Sequence, residues 1–301
     1  MRVPAGLGWW RERPGGADWV DRLPDLAGEC AEQWSLRLGE PFEGSHVSLV
    51  VPAGLPNGTH GVLKINFPEP ESEHEADALE HWQGEGAVRL LARDRDRRAL
   101  VVERCEPGTP LWQVDDDDEA MRIAARVLRQ IWRPPPAEQP FRPLAVEAAR
   151  WEVELREAWE ELGRPFGADL LGEAMAACRE LGPDQGEPVV LHQDFHGGNV
   201  LRAEREPWLA IDPKPLVGER EFDAASLLRD RRDLLVQPGA GRIVRRRLDL
   251  LASELGLDRE RMRRWGIAHA LVWGVSSTVQ KVEADMVACA RLLVECAPKM
   301  A

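Results

Sequence analysis

The chain has 301 residues, 44% of them apolar, and a formal net charge of −13 at neutral pH. This length and composition allow a sizeable buried core, so we expect a globular protein built as one two-lobed unit or two domains. The negative charge disfavours nonspecific binding to nucleic acid, which needs clustered cations. It suits a cationic small molecule as a partner, while solubility is the other available reason for an acidic surface.

Cysteine usage and hydropathy both predict a cytoplasmic protein. The five cysteines are odd in number and widely spaced, and they contain no Cys-x-x-Cys pair. This pattern disfavours a disulfide framework and a structural zinc site. The first residues lack the continuous apolar segment of a signal peptide, and no stretch approaches the roughly 20 apolar residues that span a bilayer. We therefore expect no membrane partner and no obligate protein partner.

The first pair of strands is predicted on either side of a turn. Residues 45–51 and 61–67 are largely apolar or β-branched, and the Pro-Asn-Gly sequence at 56–58 between them forms turns readily. Lys64 lies in the second segment. A lysine on a buried strand is costly unless it meets an anion, so Lys64 is a candidate for binding nucleotide phosphates. The alternative is a strand-edge lysine that points to water.

A helix is predicted over 71–82, because apolar residues recur there at helical spacing and acidic residues concentrate in the first turns. Glu75 is the preferred partner for Lys64, since in a kinase-type lobe a helix glutamate orients the strand lysine. Three other acidic residues of the segment are rivals: Glu71, Glu73 and Glu80. A solvated acidic face is the alternative to any such pair.

Two further segments of this half are candidates for contacting a nucleotide. Residues 39–46, Gly-Glu-Pro-Phe-Glu-Gly-Ser-His, precede the first strand. They are a candidate loop in which Ser45 contacts phosphate, with a plain turn as the alternative. Residues 99–103 are predicted to form a strand that is broken at 104–108, where a connector between two lobes would lie. Cys105 falls in that connector, and no neighbouring base would activate it as a nucleophile.

The carboxy-terminal half is predicted to be mainly helical. The acidic run at 115–118 precedes an apolar helical stripe that ends at Ile131, and a helix dipole favours acidic residues at its start. Three consecutive prolines at 134–136 end this helix. Further helices are predicted at 144–162, 168–181, 242–255, 259–275 and 279–294. The last three are expected to close over an acceptor molecule.

The strongest functional signal lies in the middle of the chain, where Asp194 is followed at +5 by Asn199 and at +18 by Asp212. In kinase-type sites one Asp accepts the proton of the substrate hydroxyl, while an Asn five residues on and a second Asp after a hairpin hold magnesium. Short apolar segments are predicted as strands that bring the three residues together at one site. These segments are 188–191, 200–201 and 208–211.

The stretch 191–201, Leu-His-Gln-Asp-Phe-His-Gly-Gly-Asn-Val-Leu, resembles the catalytic loop of the aminoglycoside phosphotransferase-like kinases, usually His-Gly-Asp-x-His-x-x-Asn. Ile-Asp-Pro at 211–213, Leu-Val-Gly-Glu at 216–219 and Gly-Ala-Val-Arg-Leu-Leu at 86–91 resemble the branch with streptomycin 6-kinases and hydroxyurea phosphotransferases. Gln193 departs from the pattern. The family usually has Gly at that position, and Gly tolerates backbone dihedral angles that Gln does not.

The resemblance implies an α+β, two-lobed, protein-kinase-like fold. A small, mainly β, nucleotide-binding lobe is expected over 1–103, a hinge over 104–110, and a larger, mainly helical, catalytic and acceptor-binding lobe over 111–301. ATP and Mg²⁺ are the implied cofactors. The connector backbone at Glu103 and Cys105 is implied to bind the adenine edge.

Two more residues are implied to support the catalytic loop around Asp194. His192 precedes Gln193, the position where the family usually has Gly. Asp223 falls in a Phe-Asp element whose Asp supports the catalytic loop in the family. Asp223 also has a second interpretation, as a helix N-cap for residues 224–228, and both interpretations can hold at once.

The sequence therefore predicts ATP-dependent phosphorylation of a small-molecule hydroxyl. The resemblance favours an aminoglycoside of the streptomycin type or hydroxyurea as acceptor, in an antibiotic-resistance role, with an amino-sugar kinase as the alternative. A metal-dependent hydrolase is a rival from another class, since His192, Asp194 and His196 alternate along one extended segment. A third interpretation is a nucleotide-binding regulator without catalysis.

Overall fold

A computed structural model describes residues 1–277 and 280–298 of the chain. Its amino-terminal part is built on a five-stranded antiparallel sheet with the strand order β1-β2-β3-β5-β4. The strands are β1 (Arg37–Leu38), β2 (Ser48–Gly54), β3 (His60–Asn66), β4 (Leu90–Asp94) and β5 (Ala99–Glu103). A 3-10 helix (Ala5–Glu12) and helix α1 (Gly16–Trp34) precede the sheet, and helix α2 (Glu75–Trp82) lies between β3 and β4.

The alternation of side chains along β3 determines what each face of the sheet contacts. Leu63 and Ile65 pack with the 3-10 helix and α1, in a core that includes Trp10 and Leu23. Lys64 lies between them in the sequence and therefore points to the other face, where α2 lies. Strand alternation therefore points the buried lysine away from the 3-10 helix and α1 and toward α2.

The remainder of the chain is mainly helical. Its helices are α3 (Asp117–Ile131), α4 (Leu144–Glu161), α5 (Ala168–Leu181), α6 (Arg220–Ala225), α7 (Arg232–Leu235), α8 (Ala240–Leu255), α9 (Arg259–Gly274) and α10 (Ala284–Glu295). Helix α3 begins as the acidic run predicts, because the side chain of Asp116 accepts hydrogen bonds from the backbone N–H groups of Asp118 and Glu119. Helix α9 contributes ten buried residues and packs against α5, α6 and α10.

Short strands flank the motif residues Asp194, Asn199 and Asp212. Strand β7 (Val189–Leu191) pairs with β10 (Leu216–Gly218), which also pairs with β6 (Arg142–Pro143). Strands β8 (Val200–Arg202) and β9 (Trp208–Ala210) form a hairpin. The three strands predicted around the motif are confirmed as β7, β8 and β9. A last pair, β11 (Val275–Ser276) and β12 (Lys281–Val282), lies between α9 and α10.

Two predicted helices begin later than expected. Helix α2 starts at Glu75 and not at 71, because the preceding residues form turns whose side chains bond elsewhere, as with Ser72 on the carbonyl of Phe67. The last helix starts at Ala284, after β12, and the expected start at Val279 lies outside the described residues. The helices in the described ranges include none that is both long enough and apolar enough to cross a membrane.

Candidate active site

Asp194 lies in the loop between β7 and β8 and is almost fully buried. Its Oδ1 accepts a hydrogen bond from Nη2 of Arg229 at 2.9 Å, and its Oδ2 accepts one from Nζ of Lys214 at 3.4 Å. The backbone carbonyl of Asp194 accepts a hydrogen bond from Nδ2 of Asn199 at 3.0 Å. The predicted base and the predicted magnesium ligand are therefore held together within one loop.

The charge of Asp194 is set by these neighbours. Burial alone raises the pKa of this carboxyl, but the positive charges of Lys214 and Arg229 lower the pKa well below its usual value. The carboxylate is therefore ionised throughout the physiological pH range. An ionised, hydrogen-bonded carboxylate can orient a hydroxyl and accept its proton as the oxygen becomes bonded to phosphorus.

Asp212 lies just beyond the β8–β9 hairpin, beside Asn199. The backbone N–H of Ile211 donates to the carbonyl of Asn199 at 2.9 Å, so the hairpin brings the two predicted metal ligands to the same end. Asp212 adopts a left-handed backbone conformation with φ of 58°, which turns the chain sharply at this point. Its Oδ1 accepts a hydrogen bond from Nζ of Lys64.

Lys64 connects the five-stranded sheet to Asp212 at the end of the hairpin. Its Nζ donates to both carboxylate oxygens of Glu75, at 2.8 and 2.7 Å, and Nδ2 of Asn66 donates to Glu75 at 2.8 Å. Burial alone lowers the pKa of Lys64, but Asp212 and Glu75 raise it above its ordinary value, so the lysine is charged. The structure thus places Glu75, the preferred candidate, against Lys64.

The rival acidic residues of the same segment pair with arginines. Glu71 is 3.0 Å from Arg150, Glu80 is 3.1 Å from Arg93, and Glu73 is 3.7 Å from Arg98.

Asp212 and Asn199 have the chemistry that a magnesium ion requires. Mg²⁺ prefers hard oxygen ligands and is commonly held by one or two protein groups together with nucleotide phosphates. Asp212 supplies carboxylate oxygens. The amide nitrogen of Asn199 is used on the carbonyl of Asp194, which leaves the amide oxygen as its ligand atom. The two side chains therefore fit the implied ion.

His192 and Asp223 lie behind the loop, as the resemblance implies. Both oxygens of Asp223 accept hydrogen bonds from the backbone N–H of His192, at 2.8 and 3.0 Å, and Oδ1 accepts one from Gln193 at 2.7 Å. Burial raises the pKa of Asp223 to about 6, so at neutral pH the carboxylate is ionised and accepts these bonds. The N-cap interpretation is wrong, because Asp223 lies within α6, whose N-cap residue is Glu219.

His192 connects the loop to Ile211. Its Nε2 lies 2.9 Å from the carbonyl oxygen of Ile211. Burial lowers the pKa of His192 to about 4, so the ring is neutral and donates to that carbonyl. The segment that carries Asp212 is thereby tied to the loop that carries Asp194.

Gln193 takes the backbone conformation that favours glycine, with φ of 66°. Three contacts surround this residue. Its N–H donates to Asp223, its carbonyl oxygen is 3.0 Å from Nε2 of His269, and its side-chain amide donates to Glu147 at 3.2 Å. Burial lowers the pKa of His269 to about 3, so this ring is neutral, with Nε2 as donor and Nδ1 as acceptor from Arg229. The substitution of Gln for Gly is therefore accommodated by a buried polar network.

Sequence reasoning missed three members of this network: Lys214, Arg229 and Glu147. Lys214 carried a usable signal, since lysine occurs at only four positions in the chain and this one follows the Ile-Asp-Pro element directly. Arg229 had none, because arginine is abundant throughout. Glu147 is a regular surface-like residue in the sequence, yet it is fully buried in α4.

Replacing Glu147 by Ala is expected to lower the free energy of unfolding by about 3 kcal/mol, the usual range for removing one member of a buried ion pair. Glu147 accepts hydrogen bonds from the Trp151 indole at 2.9 Å and from Gln193 at 3.2 Å, and it pairs with Arg142 at 2.8 Å. These donors would be left buried without an acceptor. Urea unfolding, with the exposed Glu173→Ala as matched control, measures the difference. Equal unfolding midpoints for the two variants would contradict the predicted buried role.

The remaining predicted nucleotide contacts lie in the sheet half and the connector. The hydroxyl of Ser45 donates to the carbonyl of Ser48 at 2.5 Å. The carboxylate of Glu103 accepts hydrogen bonds from Arg205, the shortest at 2.8 Å, so its side chain is already engaged. Cys105 is half-buried, and burial raises the pKa of its thiol to about 12, which is consistent with a residue that is not a nucleophile.

The described residues do not show the arrangement that a metal-dependent hydrolase requires. His192 is bonded to a backbone carbonyl, and His196 stacks on Trp112 with ring centroids 5.9 Å apart. Across residues 1–277 and 280–298 there is no group of three or more His, Cys, Asp or Glu side chains that could hold a metal ion. The loop that carries Asp194 is also not an extended strand.

A five-stranded antiparallel sheet that presents a Lys–Glu pair to a helical half bearing an Asp, Asn and Asp motif defines a kinase-like phosphotransferase. Solved structures share this fold. A choline kinase from Streptococcus pneumoniae superposes with a TM-score of 0.61 and 13% sequence identity, covering 91% of this chain and 98% of that chain. A macrolide 2'-phosphotransferase from Brachybacterium faecium superposes with a TM-score of 0.55 and 18% identity, covering 93% of this chain and 100% of that chain.

The chain belongs to the family of aminoglycoside/hydroxyurea antibiotic resistance kinases, whose profile matches residues 33–284. It is 36% identical to streptomycin 6-kinase of Streptomyces griseus over 97% of both chains. It is 35% identical to hydroxyurea phosphotransferase of Kitasatospora aureofaciens over 97% of this chain and 86% of that protein. The predicted family and the α+β two-lobed class are thus confirmed. The protein is a kinase, and its kinase relatives imply that it uses ATP.

Proposed function

We propose that this kinase transfers the γ-phosphoryl group of ATP to a hydroxyl of a cationic aminoglycoside of the streptomycin type, and so confers resistance. The names of its relatives support an aminoglycoside or hydroxyurea as acceptor. The observation that favours the cationic acceptor is an acidic cavity of about 550 Å³ whose lining includes Glu69 and Glu71. We further propose a cytoplasmic location, where ATP is available and the five free cysteines stay reduced.

Glutamates dominate the charged residues that line this cavity. Five of them line the wall, and they are Glu69, Glu71, Glu154, Glu157 and Glu161. Three arginines, Arg13, Arg142 and Arg150, also line the wall, and Arg142 and Arg150 both pair with the buried Glu147. A cavity with this excess of negative charge is complementary to the cationic groups of an aminoglycoside.

Lys214 links the glutamates of the cavity to the catalytic loop. Burial lowers the pKa of Lys214, but Asp194, Asp212 and, more weakly, Glu71 and Glu69 raise it above its ordinary value. Glu69 and Glu71 are therefore close enough to Lys214 to act on its charge, and Lys214 is in contact with Asp194. We propose that an acceptor in the cavity presents a hydroxyl to Asp194.

In the proposed mechanism, Asp194 orients the acceptor hydroxyl and accepts its proton. Asn199 and Asp212 would hold Mg²⁺, which would neutralise charge on the nucleotide phosphates. Lys64, oriented by Glu75, binds the phosphates. His192 and Asp223 support the catalytic loop.

We also propose that residues 104–110 form the hinge between a nucleotide-binding lobe at 1–103 and a catalytic lobe at 111–301. In this arrangement the backbone at Glu103 and Cys105 binds adenine, and Ser45 lies on the loop over the phosphates. Catalysis then comes mainly from alignment and from cations around the transferring group.

The acceptor is tested by measuring ADP release with Mg-ATP and a panel of streptomycin, a second aminoglycoside, glucosamine and hydroxyurea. We expect the highest kcat/KM with streptomycin and a product heavier by about 80 Da, the mass of one phosphoryl unit. Preferred turnover of glucosamine would overturn the proposed acceptor in favour of an amino-sugar kinase. ATP binding without turnover of any acceptor would indicate a nucleotide-binding regulator.

The role of the acidic cavity is tested by Glu69→Gln. Burial, reinforced by Glu71, raises the pKa of Glu69, so this carboxylate is partly desolvated and its charge should matter to a cationic ligand. We expect the KM for streptomycin to rise about tenfold, equivalent to roughly 1.4 kcal/mol. The KM for uncharged hydroxyurea and the KM for ATP should stay the same. The exposed Glu173→Gln is the matched control, and an unchanged streptomycin KM in Glu69→Gln would contradict this placement of the acceptor.

A further inference from the structure

We propose that Lys214 is a further catalytic residue, whose ammonium group contacts the transferring phosphoryl group. The inference rests on the proposed function, because it takes Asp194 as the site of the acceptor hydroxyl and Asp212 as the site of the metal-bound nucleotide. It concerns a side chain that contacts Asp194 but takes no part in the chemical steps of the proposed mechanism.

Lys214 is fixed in position by its backbone and by burial. It follows Asp212 by two residues, and its N–H donates to the carbonyl of His192 at 3.0 Å, which anchors it to the catalytic loop. Only 8% of the residue is exposed. Its Nζ lies 4.4 Å from the centre of the Trp273 ring, so the aromatic face covers one side of the ammonium.

The Lys214 ammonium has three N–H donors, more than it uses on the described residues. Among the described residues its one hydrogen-bond partner is Oδ2 of Asp194, at 3.4 Å. That distance is long for a charged pair, which is usually about 2.7–2.9 Å. Asp194 meanwhile has a closer partner, since Arg229 donates to its other oxygen at 2.9 Å. A buried ammonium with three donors and one long contact is costly unless a further anion completes it.

The position of Lys214 identifies that anion. Its Nζ contacts Oδ2 of Asp194, and its backbone follows Asp212 by two residues, so Lys214 is near both the proposed acceptor end and the proposed nucleotide end of the site. We infer that a phosphoryl group moving from a nucleotide at Asp212 to a hydroxyl at Asp194 comes within reach of this ammonium. Lys64 is already committed to Glu75 and Asp212, on the nucleotide side.

In the reaction the bond between the γ-phosphorus and the β–γ bridging oxygen breaks, and its electron pair leaves with ADP. The bond between the acceptor oxygen and phosphorus forms, and the hydroxyl proton moves to Asp194. Lys214 exchanges no proton. Its ammonium donates hydrogen bonds to a non-bridging oxygen of the transferring group, where charge is spread in the transition state. Removing such a donor typically costs about 10²–10³ in kcat.

The test uses the full-length protein with Lys214→Met, Lys214→Gln and Lys214→Arg. Lys281→Met is the matched control, because the side chain of Lys281 is 61% exposed. We expect the Met and Gln variants to lose at least about 100-fold in kcat with streptomycin, with the KM for ATP changed by less than about threefold. The Arg variant should recover part of the loss, because it keeps the charge and donors.

A binding measurement separates contact with the phosphoryl group from support of Asp194. Aluminium fluoride mimics the transferring group, so it should tighten Mg-ADP binding to the wild-type protein. We expect this tightening to be lost in Lys214→Met and Lys214→Gln and kept in Lys281→Met, with the Kd for Mg-ADP alone unchanged in all three. Retention of the tightening in a folded Met or Gln variant would overturn the proposal.

Asp194→Asn, measured alongside, separates failure of this inference from failure of the proposed function. If Asp194→Asn turns over at the wild-type rate, the proposed function is wrong and the inference falls with it. If Asp194→Asn is inactive while Lys214→Met keeps wild-type kcat and the fluoride-dependent tightening, only the role of Lys214 is wrong. Thermal melting establishes that each variant is folded, and if Met fails to fold, the polar Gln variant provides the comparison.

Discussion

Asp194→Asn is expected to lower kcat by about 10³-fold, within the range associated with loss of a general base. The amide cannot accept the hydroxyl proton. It also leaves Lys214 and Arg229, which both donate to the carboxylate, without a negatively charged partner. The affinity for ATP should change little, because Asp194 lies on the acceptor side of the site. ADP release measures kcat, and calorimetric titration measures the Kd for ATP.

The matched control for this prediction is Asp25→Asn, at an exposed position on α1. Both variants remove one carboxylate and keep the side-chain volume. A kcat for Asp194→Asn close to that of Asp25→Asn would remove Asp194 from the chemistry. A large loss of ATP affinity in Asp194→Asn would instead place this residue on the nucleotide side.

Asp212→Ala is expected to weaken binding of Mg-ATP by at least about tenfold, on the scale of losses seen when metal-site groups are removed. Its carboxylate is the charged member of the proposed ligand pair and also a partner of Lys64. Lys64 keeps Glu75 after the substitution, at 2.7 and 2.8 Å, so the lysine should stay in place. The loss should therefore depend on the metal.

Measuring the Kd for ATP with and without Mg²⁺ isolates this dependence. We expect wild-type protein to bind ATP more tightly with Mg²⁺, and Asp212→Ala to lose most of that difference. The Mg²⁺ concentration that gives half-maximal turnover should rise in parallel. An unchanged magnesium dependence in Asp212→Ala would contradict the assignment of this carboxylate as a metal ligand.

The motif residues could be predicted because the signals that place them are local. Asp194 and Asn199 lie in one loop, and Asp212 follows a short hairpin whose strands are recognisable from their apolar residues. The pairing of Lys64 with Glu75 required a tertiary register, and the resemblance to a known family supplied it. The predicted start of α2 was four residues early, since acidic residues at 71 and 73 favour a helix locally but pair instead with arginines elsewhere.

The network behind the loop could not be predicted, because its members meet only in the tertiary structure. Gln193 contacts residues from α4 and α9, which are distant in the sequence. The sequence showed that Gln replaces Gly at this position, and the structure shows that the residue keeps a glycine-like backbone angle and uses its amide on Glu147. Arg229 reaches Asp194 from the 3-10 helix Ser226–Arg229 that follows α6, at a spacing that carries no motif.

The most direct test of phosphoryl transfer to a hydroxyl uses ATP in which all four oxygens of the γ-phosphate, including the β–γ bridge, are oxygen-18. Mass spectrometry then counts the labelled oxygens in phosphorylated streptomycin. We predict three, because the γ-phosphorus leaves the bridging oxygen with ADP and the fourth oxygen of the product phosphate belongs to the acceptor. Labelled inorganic phosphate with no labelled streptomycin would contradict transfer of the γ-phosphoryl group to the acceptor hydroxyl.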